Sequence, residues 1–150
     1  MKILIILLLS INTFAQSDLY QLLKLKDTNF VKVSSLYKSL KSHAMKEDKD
    51  KFCKLIDTNI SSLEDIYQDD FKLNQALISE DQEHTLEYAQ KIKDNSRSDL
   101  FSFHIYSDLC KENRIRPVAR HILTIERSIT NTEILRRSHL LFMQIYQGLK

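Results

Sequence analysis

Beyond residue 27, apolar side chains recur every three or four positions in long stretches, the spacing that gathers them on one face of an α-helix. Phe30, Val33, Tyr37, Leu40 and Ala44 form one such line, and Asp27, Thr28 or Asn29 supplies a cap to open its helix. The charged run from Lys46 to Lys51 interrupts the pattern before Phe52, Cys53, Leu55 and Ile56 restore it. Ser61 and Glu64 have capping-box spacing, so a further helix is expected through Leu63, Ile66, Tyr67, Phe71, Leu73 and Leu77. Ser79 is placed to cap another, carrying Leu86, Ala89 and Ile92 and ending in Asp94, Asn95 and Ser96, whose short polar side chains compete with the helical backbone.

Between Leu100 and Cys110 the apolar residues Phe101, Phe103, Ile105, Tyr106 and Leu109 cover more than one face, which predicts a helix enclosed by others and ended by Asn113. Pro117 suits the first turn of the next helix, with Val118, Ile122, Ile125 and Ile129 as its apolar line. Asn131 or Thr132 then caps a last helix that docks through Ile134, Leu141, Ile145 and Leu149, beside Leu135, Phe142 and Tyr146. The expected fold is all-α, with five to seven helices in an irregular bundle or a short helical-hairpin, α-solenoid-like array. The second arrangement is considered because the later helix starts, near residues 80, 97, 115 and 131, recur at 16 to 18 residues. The segment Lys24-Leu-Lys-Asp-Thr-Asn29 also recurs as Lys54-Leu-Ile-Asp-Thr-Asn59, which helix junctions drawing on the same capping residues explain.

Composition strengthens the helical reading. Gly148 and Pro117 are the only glycine and proline in 150 residues, against about ten and seven at average usage. Strand-rich folds need many tight turns with positive φ, which glycine supplies, so they are disfavoured.

The N-terminus bears on location. Lys2, the apolar run Ile3 to Leu9, and Thr13-Phe14-Ala15 have the order of a secretory signal peptide, with cleavage expected before Gln16. The run stops at Asn12, short of the roughly 20 apolar residues that a spanning helix needs. Gln16, and not a cysteine, would be the first mature residue, which argues against a lipid anchor. Residues 1–15 are therefore expected to be a removed signal and 16–150 a single exported helical domain, periplasmic or extracellular, with no stable membrane anchor.

Export gives the two cysteines a meaning. A Cys53–Cys110 disulfide is expected in an oxidising compartment, and two separate buried thiols are the alternative. Without a Cys-x-x-Cys motif, redox catalysis is not expected. Glu80, His84 and Glu87 fall at i, i+4 and i+7 and could turn a carboxylate, an imidazole and a second carboxylate toward a metal. The alternative is a solvated acidic face, since no paired Glu-x-x-His motif completes a helical metal site, and no cofactor is expected. Asp108 can orient His104, and His121 stands among arginines. Glu64 with Asp69 or Asp70 is a conceivable acid and base pair for an envelope-polymer hydrolase. Glycine-rich phosphate loops, nucleophile elbows and tryptophan are all missing, so an enzyme is not expected.

Charge is segregated although 22 Lys and Arg nearly balance 20 Asp and Glu. Residues 57–99 are rich in acids, whereas residues 111–150 hold eight bases against Glu112, Glu126 and Glu133. Arg116, Arg120 and Arg127 share a helical side opposite much of the Val118 to Ile129 line, a candidate surface for an anion or an acidic protein partner. The alternative is that they pair with the acidic middle helices of the same molecule. Nucleic acid is a poor target for an exported, nearly neutral chain. The expected function is a protein-protein interaction module, with a metal- or small-ligand-binding bundle as the alternative and a hydrolase last.

Overall fold

A chain with almost no glycine or proline leaves the helical state only where polar residues can end it. In a computed structural model the described helices are separated at three places. The described helices are α1 Lys2–Met45, α2 Lys49–Ile78, α3 Glu83–Lys111 and α4 Val118–Gly148. Described are the backbone of residues 2–80, 83–114 and 118–148, and the side chains of residues 19–80, 85–114 and 122–144.

Two of the helix ends show how glycine is replaced. After α1, the Asp48 amide donates to the His43 carbonyl at 3.0 Å and the Glu47 amide to Ala44 at 3.1 Å, with Glu47 left-handed at φ 53°. After α3, Arg114 donates to Leu109 at 3.1 Å and Asn113 to Cys110 at 3.3 Å, with Asn113 at φ 57°. Both are the paired 6→1 and 5→2 bonds that satisfy terminal carbonyls, built here on Glu and Asn. Asp48 then opens α2 by accepting from the Lys51 amide at 3.3 Å.

Short connections make successive helices antiparallel. α1 packs on both α2 and α4, α2 packs on α3, and α3 meets α4 only lightly. The contact between α1 and α4 closes a four-helix bundle, so the solenoid-like alternative is not the arrangement found, and four described helices replace the five to seven expected.

The reason for the lower count lies in how each helix meets its neighbours. The inward residues of α1 are Leu19, Leu23, Lys26, Phe30, Val33, Tyr37, Leu40 and Ala44, all buried at alternating steps of four and three. α2 repeats the rhythm through Phe52, Ile56, Asn59, Leu63, Ile66, Asp70, Leu73 and Leu77, and α3 through Ala89, Ile92, Ser96, Asp99, Phe103 and Tyr106. This average period of 3.5 is that of shallow-angle bundle packing. Polar residues occupy several of the steps, and the expected caps lie beside or at them. Asn29 is buried inside α1, Ser61 lies within α2, Asp94 to Ser96 lie within α3, and Thr132 is buried inside α4. None of them ends a helix: Asn29 and Ser96 bond across the bundle to Asp69 and Asp70, and the Thr132 hydroxyl donates back to the Ser128 carbonyl of its own helix at 2.7 Å.

Two apolar clusters result. One gathers Val33, Tyr37, Leu40, Ile56, Phe103 and Ile125; the other gathers Leu19, Leu23, Leu73, Leu77, Ala89 and Ile92. At the end of the first cluster Cys53 and Cys110 stand at disulfide distance, 2.06 Å between sulfurs, tying the start of α2 to the end of α3. Among the described residues neither cysteine is a free thiol.

Two expected docking faces are corrected. α4 turns Ile125, Thr132 and His139 inward, so Ile134 and Leu141 are 56% and 58% exposed; the side chains of Ile145 and Leu149 lie outside the described residues. In α3, Phe103 and Tyr106 are buried whereas Phe101 is 65% exposed, so that helix is not enclosed on all sides.

Candidate functional site

Two places stand out, a belt of buried polar and charged groups inside the bundle and the outer side of α4. The inner belt separates the two apolar clusters. Lys26 is only 3% exposed and its Nζ donates to Asp70 Oδ2 at 2.6 Å, with Asp70 1% exposed. The same ammonium lies 4.1 Å from the centre of the Phe30 ring, a cation-π contact in a desolvated place. Ser96 donates to the same Asp70 oxygen. Burial outweighs the Lys26 charge and pushes the Asp70 carboxyl up to about 6.

One turn further, Tyr37 donates its hydroxyl to Asp99 Oδ1 at 2.6 Å, and Asn95 approaches Oδ2 at 3.5 Å. Burial pushes Asp99 up to about 6 as well, and drives the Tyr37 phenol upward. Toward the second cluster, His139 Nε2 lies 2.8 Å from the Leu23 carbonyl, which can only accept, so that nitrogen carries the proton and Nδ1 accepts from the Tyr88 hydroxyl. Burial lowers the His139 pKa from its ordinary value. Asn74 adds a 2.9 Å bond to the Ala89 carbonyl.

These groups have the chemistry of a catalytic centre but not the space. The gap bounded by Lys26, Phe30, Val33, Asn95, Ser96 and Asp99 is too narrow to admit a water molecule. Each charge is engaged by another side chain of the bundle, and the belt works as a cross-helix clamp. An open groove of about 430 Å³ between α1 and α2 is lined by Leu36, Leu55, Asn59 and Ser62, among others, with Lys32 as its one charged residue.

The other expected site residues are dispersed. Glu80 lies in the turn before α3, which begins at Glu83, so Glu80 and Glu87 do not share the helical face expected of them; the His84 side chain is outside the described residues. Glu87 is exposed and bonded to Lys91 at 2.8 Å, whose hydrogen bond and charge hold its carboxyl below the usual range. Among the described residues no three His, Cys, Asp or Glu side chains assemble as a metal site. Glu64 is exposed, 3.9 Å from His104, whereas Asp70 is buried against Lys26 and Asp69 receives a 3.4 Å bond from Asn29, so the three carboxylates form no acid and base pair.

The outer side of α4 is different. Leu123, Arg127, Thr130, Ile134, Arg137 and Leu141 are all exposed, at alternating steps of four and three. They form a second line opposite the one that packs on α1. Of the arginines expected to form a surface, Arg127 is on this line, Arg116 lies outside the described residues, and Arg120 is in α4 with its side chain outside them. Arg137 belongs to the line and was not singled out from sequence. Among the described residues the ion pairs of α4 run instead to α1: Lys41 with Glu126, Lys38 with Glu133 at 3.4 Å, and Arg136 with Asp27 at 2.9 Å. Arg127 and Arg137 have no carboxylate partner among the described residues, so they do not pair with the acidic middle helices.

No protein family model matches the chain, and no curated protein or solved structure is significantly similar to it. Among the described residues no helix is long and apolar enough to cross a membrane.

Proposed function

We propose that this chain is an exported protein-protein interaction module that works without catalysis. One observation carries the reading: among the described residues of α4, three large apolar side chains stand exposed on the side opposite the one that the bundle uses. Leu123, Ile134 and Leu141, each more than half exposed, repeat along the outer side at the spacing that helices use to pack on one another. Large apolar residues in such order suit a partner surface, whereas the gap beside the buried Lys26, Ser96 and Asp99 is too narrow to admit even water.

Export rests on the residues that resemble a signal peptide, Lys2, Ile3 to Leu9 and Thr13 to Ala15, with cleavage before Gln16. The paired cysteines support it, because disulfides persist in oxidising compartments. On this reading the working protein starts at Gln16 and keeps the part of α1 that enters the core. A photo-crosslinking residue at Thr130 in the native host tests the function. Crosslinks to a second protein, lost when Leu123, Ile134 and Leu141 are all changed to serine, are expected; crosslinks that survive those changes, or none, would overturn it.

A further inference from the structure

Resting on the interaction reading, we propose that the outer line of α4 takes a single acidic amphipathic helix of a partner protein. Three features of the line point to that occupant. It is one residue wide, with polar Asn131 and Ser138 exposed beside it, and from Leu123 to Leu141 it extends about 27 Å at 1.5 Å per residue. That is the footprint of one helix lying along another. Its steps of four and three give the 3.5-residue period at which side chains of a second helix interlock.

Its charge is of one sign. Arg127 and Arg137 interrupt the apolar residues and have no carboxylate partner among the described residues, while the acids nearest on α4, Glu126 and Glu133, are held by Lys41 and Lys38. Carboxylates of a partner suit these two exposed positions, where each planar guanidinium can donate a two-point contact. A second copy of the chain, line against line, would set arginine against arginine along the line itself, its nearest acids on described α4 being Glu126 and Glu133 at the edge, already paired with Lys41 and Lys38. An anionic membrane is the poorer fit, because a helix lying in the interface needs a broad apolar face and this one is a narrow row broken by Thr130 and the arginines.

The test uses the full exported chain and three synthetic 21-residue helical peptides that share a leucine face and differ only at the positions opposite Arg127 and Arg137, which are Glu, Gln or Lys. Fluorescence anisotropy should show the Glu peptide binding about tenfold more tightly than the Gln peptide and the Lys peptide most weakly. Arg127→Glu with Arg137→Glu should reverse the order, so that the Lys peptide becomes the best ligand; this charge swap is independent of any loss of folding. Equal binding of Glu and Gln peptides, both abolished by serine at Leu123, Ile134 and Leu141, would overturn the acidic helix and leave the interaction reading standing. Two other results would overturn the proposal. One is a dimer in sedimentation that Leu141→Ser dissociates. The other is binding to phosphatidylserine vesicles that the arginine changes remove.

Discussion

The charges inside the bundle and those on the outer side of α4 have opposite circumstances. Lys26, Asp70 and Asp99 are buried, and each is engaged by a named neighbour on another helix: Asp70 for Lys26, Lys26 and Ser96 for Asp70, and Tyr37 for Asp99. Arg127 and Arg137 are exposed and meet no carboxylate among the described residues. A buried charge depends on its partner for the stability of the fold, whereas an exposed one can be changed at little expense to folding. The difference separates residues that hold the molecule together from residues left free for something outside it.

The inner belt should give the largest effects. Asp70→Ala leaves the Lys26 ammonium buried without its counter-ion and is expected to destabilise by about 3 to 5 kcal/mol in denaturant titration. Lys26→Met combined with Asp70→Leu should recover most of that loss, since a buried pair is often no better than well-packed apolar residues. If the double variant were as unstable as the single one, the belt would be doing more than pairing charge.

Reducing the link between Cys53 and Cys110, or changing both to serine, comes next. Opening a loop of 57 residues should cost up to about 4 kcal/mol in the chain-entropy picture, less if the unfolded chain keeps residual structure. Tyr37→Phe should cost about 1 to 3 kcal/mol, because it leaves the buried Asp99 oxygen without its donor.

The fold should also depend on pH. Asp70 and Asp99 hold their protons more tightly folded, at about 6, than at the ordinary 3.8. Through these two groups the fold gains stability as pH falls from about 6 toward 4, and loses it again as pH rises through 6. His139 opposes them: its pKa is lowered from 6.5, so acid favours the unfolded chain through that ring. Asp99→Asn should therefore remove part of the gain on acidification, leaving a curve more dominated by the His139 loss. An unchanged pH profile by denaturant titration would contradict the assignment.

The same contrast explains which features could be read from sequence. The helical class followed from apolar spacing and the lack of glycine, and Asn113 was recognisable as a terminator because an asparagine tolerates the left-handed conformation that it adopts. The number of helices is not legible from composition, because polar residues inside a helix resemble interruptions. Asn29, Ser96 and Thr132 have the composition of caps, yet all three are buried inside helices. Counting steps of four and three through Lys26, Asn59, Ser96, Asp99 and Thr132, without regard to polarity, carries each helix past its supposed break. The belt itself could not be foreseen from spacing, because pairing Lys26 with Asp70 depends on which helices become neighbours. On α4 the apolar residues are divided between two sides, and Ile134 with Leu141 was assigned to the wrong one.

The smallest effect on folding is expected on the outer line, and it tests the contrast most directly. The measurement is the melting temperature of the variant with serine at Leu123, Ile134 and Leu141, followed over a range of protein concentrations. Three exposed positions outside the core should leave it within about 2 °C of the parent at every concentration. A fall of about 10 °C or more would mean that these side chains are buried by the fold or by a second copy, and that the outer face of α4 is not free.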